Sequence, residues 1–81
     1  MTAPSTISRW FNQGKKQGAT HMIVVCDTFD HEDYPVYVMP EEDANEKTEK
    51  FREMEMQRVM EVYNLFLDKD KQLQETRAFH F

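Results

Sequence analysis

Ile7, Trp10, Phe11 and Gly14 recur at i, i+3, i+4 and i+7, the spacing that gathers side chains on one face of a helix. The pattern predicts a first helix over about residues 6–17, capped by Ser5 and stopped by Gly18. Gly14 lies on the apolar stripe, where the missing side chain admits close approach of another backbone. The run His21-Met-Ile-Val-Val-Cys-Asp-Thr-Phe29 is apolar at successive positions and rich in β-branched residues, which predicts a strand covered on both faces. Tyr34-Pro-Val-Tyr-Val-Met39 predicts its hairpin partner, with Asp30 to Asp33 as the turn. Pro35 has no amide proton, so this second strand belongs on an edge.

Pro40-Glu-Glu-Asp43 reads as a helix start, with acids at the positive end of the helix dipole. No Gly or Pro interrupts the chain from there to Glu75. A single helix of that length would run about 50 Å, too long for so small a domain. A break is therefore expected near Glu53 to Met56, leaving one short polar helix and one longer apolar helix. On the longer one the apolar positions cover an arc of about 240°, where a surface helix buries little more than 100°. Such an arc asks for two partners, the protein's own sheet and a second subunit. Met54, Met56, Val59, Met60, Tyr63 and Leu67 thus form the expected interface, and methionines suit an adaptable one. Arg77-Ala-Phe-His-Phe81 alternates in character and offers a third strand, which an otherwise marginal hairpin needs. The expectation is one α+β domain over residues 1–81, with residues 1–5 flexible: an N-terminal helix, an antiparallel hairpin, then one or two helices.

With 81 residues, a monomer has a thin core, which favours a homo-oligomer. The net charge of −5 is unevenly spread. Residues 1–26 carry three bases and no acid, residues 27–46 carry eight acids and no Lys or Arg, and residues 47–81 carry seven of each. Duplex DNA is an unsuitable partner for such a chain, because phosphate contacts need a basic stripe. The acidic hairpin residues Asp30, His31, Glu32 and Asp33 instead suit contact with a basic protein surface. The longest apolar run, Met22 to Cys26, is far shorter than the roughly 20 residues of a membrane span. With a single cysteine and no signal-peptide pattern, the expected setting is the reduced cytoplasm, with no membrane contact.

Candidate chemistry is sparse. The Asp27 to Asp33 segment lacks the central Gly and closing Glu of a calcium loop, and there is no zinc-binding His-Glu-x-x-His, so no metal is expected. Cys26 with His21, His31 or His80 supplies the residue types of a nucleophile and base, yet a thiol in an apolar strand usually only packs. No catalytic residue, cofactor or enzymatic activity is expected. Both glycines lie in or at the end of the first helix, which excludes a phosphate-cradling loop. A nucleotide remains the alternative ligand, with Arg9, Lys15, Lys16 or Arg58 for phosphate and Trp10 or Tyr63 for the base.

Residues 21–38, His21-Met-Ile-Val-Val-Cys-Asp-Thr-Phe-Asp-His-Glu-Asp-Tyr-Pro-Val-Tyr-Val38, and 56–63, Met56-Gln-Arg-Val-Met-Glu-Val-Tyr63, resemble a group of small bacteriophage and mobile-element proteins of unknown function. The resemblance covers about a third of the chain and brings no catalytic or binding motif. It implies a protein that acts by binding: occupying a host protein or defence component, as in host takeover or counter-defence, or sequestering a nucleotide signal in an oligomeric pocket.

Overall fold

The computed structural model describes residues 3–81, and Met1 and Thr2 lie outside the description. The chain order is α1 (Pro4–Gln17), β1 (His21–Asp27), β2 (Glu32–Val38), α2 (Ala44–Glu53), β3 (Gln57–Asn64) and α3 (Lys69–Leu73). The strands form one antiparallel sheet in the order β2-β1-β3. This is an α+β domain, as the hydrophobic pattern predicts.

The central strand β1 buries Met22, Ile23, Val24 and Val25 without a gap. Successive strand residues face opposite ways, so the sheet needs two covers. Met22 and Val24 join Ile7 and Phe11 of α1, Ala19, Tyr63, Leu65 and Ala78 in one cluster. Within it the Phe11 and Tyr63 rings meet edge to face, 6.5 Å apart at 78°. Ile23 and Val25 join Val38 and Val62 in the other cluster, where Ala44 and Phe51 of α2 pack.

α1 ends as expected, with Gly18 left-handed at φ 80°. Its start differs: Pro4 takes the first helical position behind Ala3, and Ser5 lies inside the helix rather than capping it. Residues 4 and 5 are therefore helical, and the part of the expected flexible start that falls on Met1 and Thr2 lies outside the described residues. Gly14 does mark a close approach, but of side chains. A Cβ there would stand 2.7 Å from the Tyr37 ring and 2.9 Å from a Leu65 methyl. Pro40, Glu41 and Glu42 precede α2 rather than opening it. The cap is Asp43, whose carboxylate accepts from the Glu46 amide at 3.0 Å.

The expected break after α2 occurs at Met54 to Met56, but a strand follows it, not a long apolar helix. Val59, Val62 and Tyr63 are β formers, and β3 faces an apolar layer on each side. A strand with two buried faces, plotted on a helical wheel, mimics a wide apolar arc. Opposite Val24 and Val25 a bulge makes Met60 the extra residue of β3, between the paired Glu61 and Val59. β3 is also the third strand that the hairpin needs. The C-terminal segment adds one parallel bridge, Val62 to Phe79, rather than a strand. Gln72 is buried and pins α3 to the end of β3: its amide accepts from Asn64 N and donates to the carbonyls of Asn64 and Asp68.

Both sheet edges are blunted against pairing with another chain. On β2, Pro35 lacks a donor, and Lys47 Nζ occupies the Tyr37 carbonyl at 2.9 Å. On β3, Val62 N donates to Ala78 O at 2.8 Å and Val62 O accepts from His80 N at 2.9 Å.

Gly14→Ala is expected to lower stability by about 1–3 kcal/mol through overpacking, despite a helix-propensity gain of about 1 kcal/mol, because the Tyr37 hydroxyl is fixed on Trp10 O. Gly18→Ala meets open space but a positive φ, at a cost of about 1–2 kcal/mol. Urea denaturation midpoints measure both. His21 holds Thr20 Oγ1 at 2.9 Å through Nδ1, and its Nε2 is buried, with the Phe81 backbone partly offsetting the effect of burial. Burial lowers its pKa below the free value of 6.5. The neutral ring is therefore favoured in the fold; its contribution is full above pH 6.5 and is lost as pH falls through the folded pKa. Stability of the native chain should drop more steeply from pH 7 to 5 than that of His21→Gln, and parallel curves would contradict this.

Candidate functional site

Two loops meet at one end of the sheet. The first is the β1–β2 turn, residues 28–31, and the second is the α2–β3 connection, residues 54–56. Asp27 pairs with Gln57 across the β1–β3 ladder, and just beyond it Thr28 N donates to Met56 O at 2.8 Å. The acidic hairpin and two of the expected interface residues, Met54 and Met56, are thereby joined.

Asp27 shapes the first loop. Its Oδ1 accepts from Phe29 N at 2.9 Å and Asp30 N at 3.3 Å, and its carbonyl accepts from His31 N at 2.7 Å. The Phe29 amide, with smaller help from Asp30 and Gln57, holds the Asp27 carboxyl below the usual carboxylate range. Gln57 Nε2 reaches Asp27 Oδ2, and the Tyr34 hydroxyl donates to Gln57 Oε1. This carboxylate orders the turn rather than offering itself to a partner.

The loops so fixed present Phe29, 74% exposed, and Met56, 51% exposed, with Met54 beside them. Asp30, Glu32, Glu53 and Glu55 are exposed around these side chains. Among the described residues, the only non-glycine positions with positive φ are His31 at 59° and Met56 at 62°, one in each loop. A long side chain in this region costs about 1–3 kcal/mol, and such strain clusters at functional surfaces.

The remaining expected residues are scattered. Val59 packs toward α2, while Met60 borders the α1 layer and Tyr63 is buried within it. Leu67 lies in the β3–α3 connection at the opposite end. The single helical face expected to receive a second subunit does not exist, because β3 sends alternate side chains to opposite layers. The nucleotide candidates are not assembled either. Trp10 packs on the core, Lys15 lies over the Phe11 ring at 5.8 Å, and Arg9, Lys16 and Arg58 are exposed.

Beside the loops, on the α1 side, a cleft of about 380 Å³ opens between the first turns of α1, the sheet and the segment after α3. Ile7, Met60 and Leu73 contribute apolar walls, and Asp33, Glu61 and Glu75 contribute carboxylates. His31 and Cys26 reach it too, so Cys, His and Asp share one cavity. They do not form an activated nucleophile. Burial, reinforced by a hydrogen bond to Asp33, raises the Cys26 pKa and keeps the thiol protonated. Among the described residues no cluster of three or more His, Cys, Asp or Glu is arranged to hold a metal. None of Arg9, Trp10, Lys15, Lys16 and Arg58 lines this cleft or the shallow acidic one at the start of α2.

Phe29, Glu61 and Glu75 are the residues that sequence reasoning leaves out. Phe29 reads as the last residue of an apolar strand, and its place between two aspartates was the available signal of a turn. No helix among the described residues is long and apolar enough to cross a membrane. No family model, curated protein or solved structure matches the chain.

At pH 7.5 Cys26 should react with iodoacetamide more slowly than a free thiol, and Asp33→Asn should speed the reaction by removing the negative charge that disfavours the thiolate. Equal rates in the two proteins would remove Asp33 as a cause.

Proposed function

We propose that this is a non-enzymatic binding protein whose loop end docks on a basic surface of a host protein, in the manner of host takeover or counter-defence factors. The observation that carries the reading is the Thr28 to Met56 hydrogen bond, which ties together the two loops that carry exposed Phe29 and Met56, with exposed carboxylates at Asp30, Glu32, Glu53 and Glu55 in the same segments. A central apolar anchor within a charged rim is the usual anatomy of a contact surface. The bacteriophage setting is part of the proposal and rests only on the resemblance read in residues 21–38 and 56–63.

A second exposed pair, Phe66 and Leu67, stands at the opposite end. Its flank, Asp68-Lys-Asp-Lys71, alternates in sign and so selects no partner charge. It contains no left-handed residue. Among the described residues backbone strain occurs only at the first end, and there the exposed carboxylates of Asp30, Glu32, Glu53 and Glu55 outnumber the exposed guanidinium groups of Arg52 and Arg58. A nucleotide ligand lacks comparable support, since Arg9, Lys15, Lys16 and Arg58 line neither cleft and the main cleft sets three carboxylates against the single Arg77, an excess that repels phosphate.

Photo-reactive residues placed at positions 29 and 66 in host cells will identify the partner, whose affinity is then measured with purified proteins. Phe29→Ser should weaken binding by about 30-fold or more, the effect of losing an anchor of about 2 kcal/mol. Phe66→Ser should leave it within twofold. Met56→Gly should weaken binding while leaving stability unchanged or raising it by about 1 kcal/mol, because glycine relieves the left-handed strain. Adducts from position 66 alone, or full affinity in Phe29→Ser, would overturn the reading.

A further inference from the structure

We infer that the α1-side cleft receives an arginine or lysine side chain from a basic partner segment, a deepening that rests on the proposed docking of the adjacent loops. Its volume of about 380 Å³ falls in the range that encloses small ligands. The apolar walls formed by Ile7, Met60 and Leu73 suit an aliphatic stem. Asp33, Glu61 and Glu75 bring carboxylates to the same space, which selects a cationic head over a neutral or anionic one.

Two of these carboxylates are held in place by hydrogen bonds. The Tyr63 hydroxyl donates to Glu61 Oε2 at 2.8 Å, and His80 Nε2 lies 2.8 Å from Glu75 Oε2. Burial and the neighbouring Glu61 push the Tyr63 pKa well up, so the hydroxyl stays a donor. A carboxylate offers about four acceptor positions, and Glu61 Oε1 remains for a guanidinium or ammonium. Arg77 and His31 also line the cleft; the Arg77 guanidinium offsets one of the three carboxylates and leaves negative charge for a further cation. The cleft is continuous with the docking end, because His31 belongs to both, and a partner seated on Phe29 has the cavity beside it.

The test is an amide-resolved NMR titration with acetyl-Gly-Arg-Gly-amide, alongside the same peptide carrying citrulline, the neutral isostere, in place of arginine. Saturable shifts are expected at Met60, Glu61, Tyr63 and residues 73–77, with at least about tenfold tighter binding of arginine than of citrulline. The combined Asp33→Asn and Glu61→Gln variant should lose that preference. If the variant does not fold, the arginine to citrulline ratio on the native chain decides alone. Equal binding of the two peptides, or no saturation at the cleft, would overturn the inference. Phe29 lies outside the cleft lining, so such a failure would leave the loop-end docking to be judged by its own variants.

Discussion

Four consecutive side chains of β1, Met22 to Val25, are removed from solvent, and strand geometry sends two of them to each face of the sheet. Everything else in the fold answers that requirement. α1 precedes β1 and covers one face. The other face needs an element that starts where β2 ends and runs back across the sheet, which is α2. α2 therefore delivers the chain to the end of the sheet where β1 turns into β2, and β3 begins there, paired through Gln57 to Asp27. The meeting of the two loops is a topological consequence of covering β1 twice, and the candidate contact surface exists because of it.

The sheet edges bear on how the protein associates. A three-stranded sheet has two edges, and each unpaired edge is a template for another strand. Here the β2 edge loses a donor at Pro35 and an acceptor to Lys47, while the β3 edge carries a bulge at Met60 and the bridge to Phe79. Growth of the sheet by edge pairing is opposed on both sides. Gln57 serves that end from the sheet, tying Asp27 and Tyr34 together so that the turn is braced by both of its neighbouring strands.

How much of this was legible varies by element, for physical reasons. α1, its glycine stop and the hairpin follow from periodicity and turn chemistry, which are local. The break at Met54 to Met56 followed from length alone, since one helix could not fit. The identity of what came after it was not legible. Val59, Val62 and Tyr63 satisfy a helical wheel and a two-faced strand alike, and the choice is made by β1, which has a free edge for β3 and no room for another long helix. A turn was legible near Asp30 and His31, but it spans residues 28–31, and Glu32 and Asp33, expected within it, open β2 instead; Met54 and Met56 were legible as exposed methionines. That the turn and these methionines adjoin depends on a hydrogen bond between residues 28 positions apart, which no local pattern encodes. Glu61 and Glu75 escaped notice because a carboxylate in a cavity has the same sequence signature as one in solvent.

The strain at His31 and Met56 gives the loop end its physical character. Two left-handed residues at about 1–3 kcal/mol each are a substantial burden for a domain whose total stability is on the order of 5–10 kcal/mol. They persist because the carbonyls of Asp27 and Met56 and the carboxylate of Asp27 hold both loops through hydrogen bonds. The same bonds order the backbone under Phe29 before any partner arrives. A surface ordered in advance loses less conformational freedom on binding, so more of its contact energy appears as affinity. For a chain of this size, with few side chains to spend on a contact, a small rigid patch is a more effective binder than a larger mobile one.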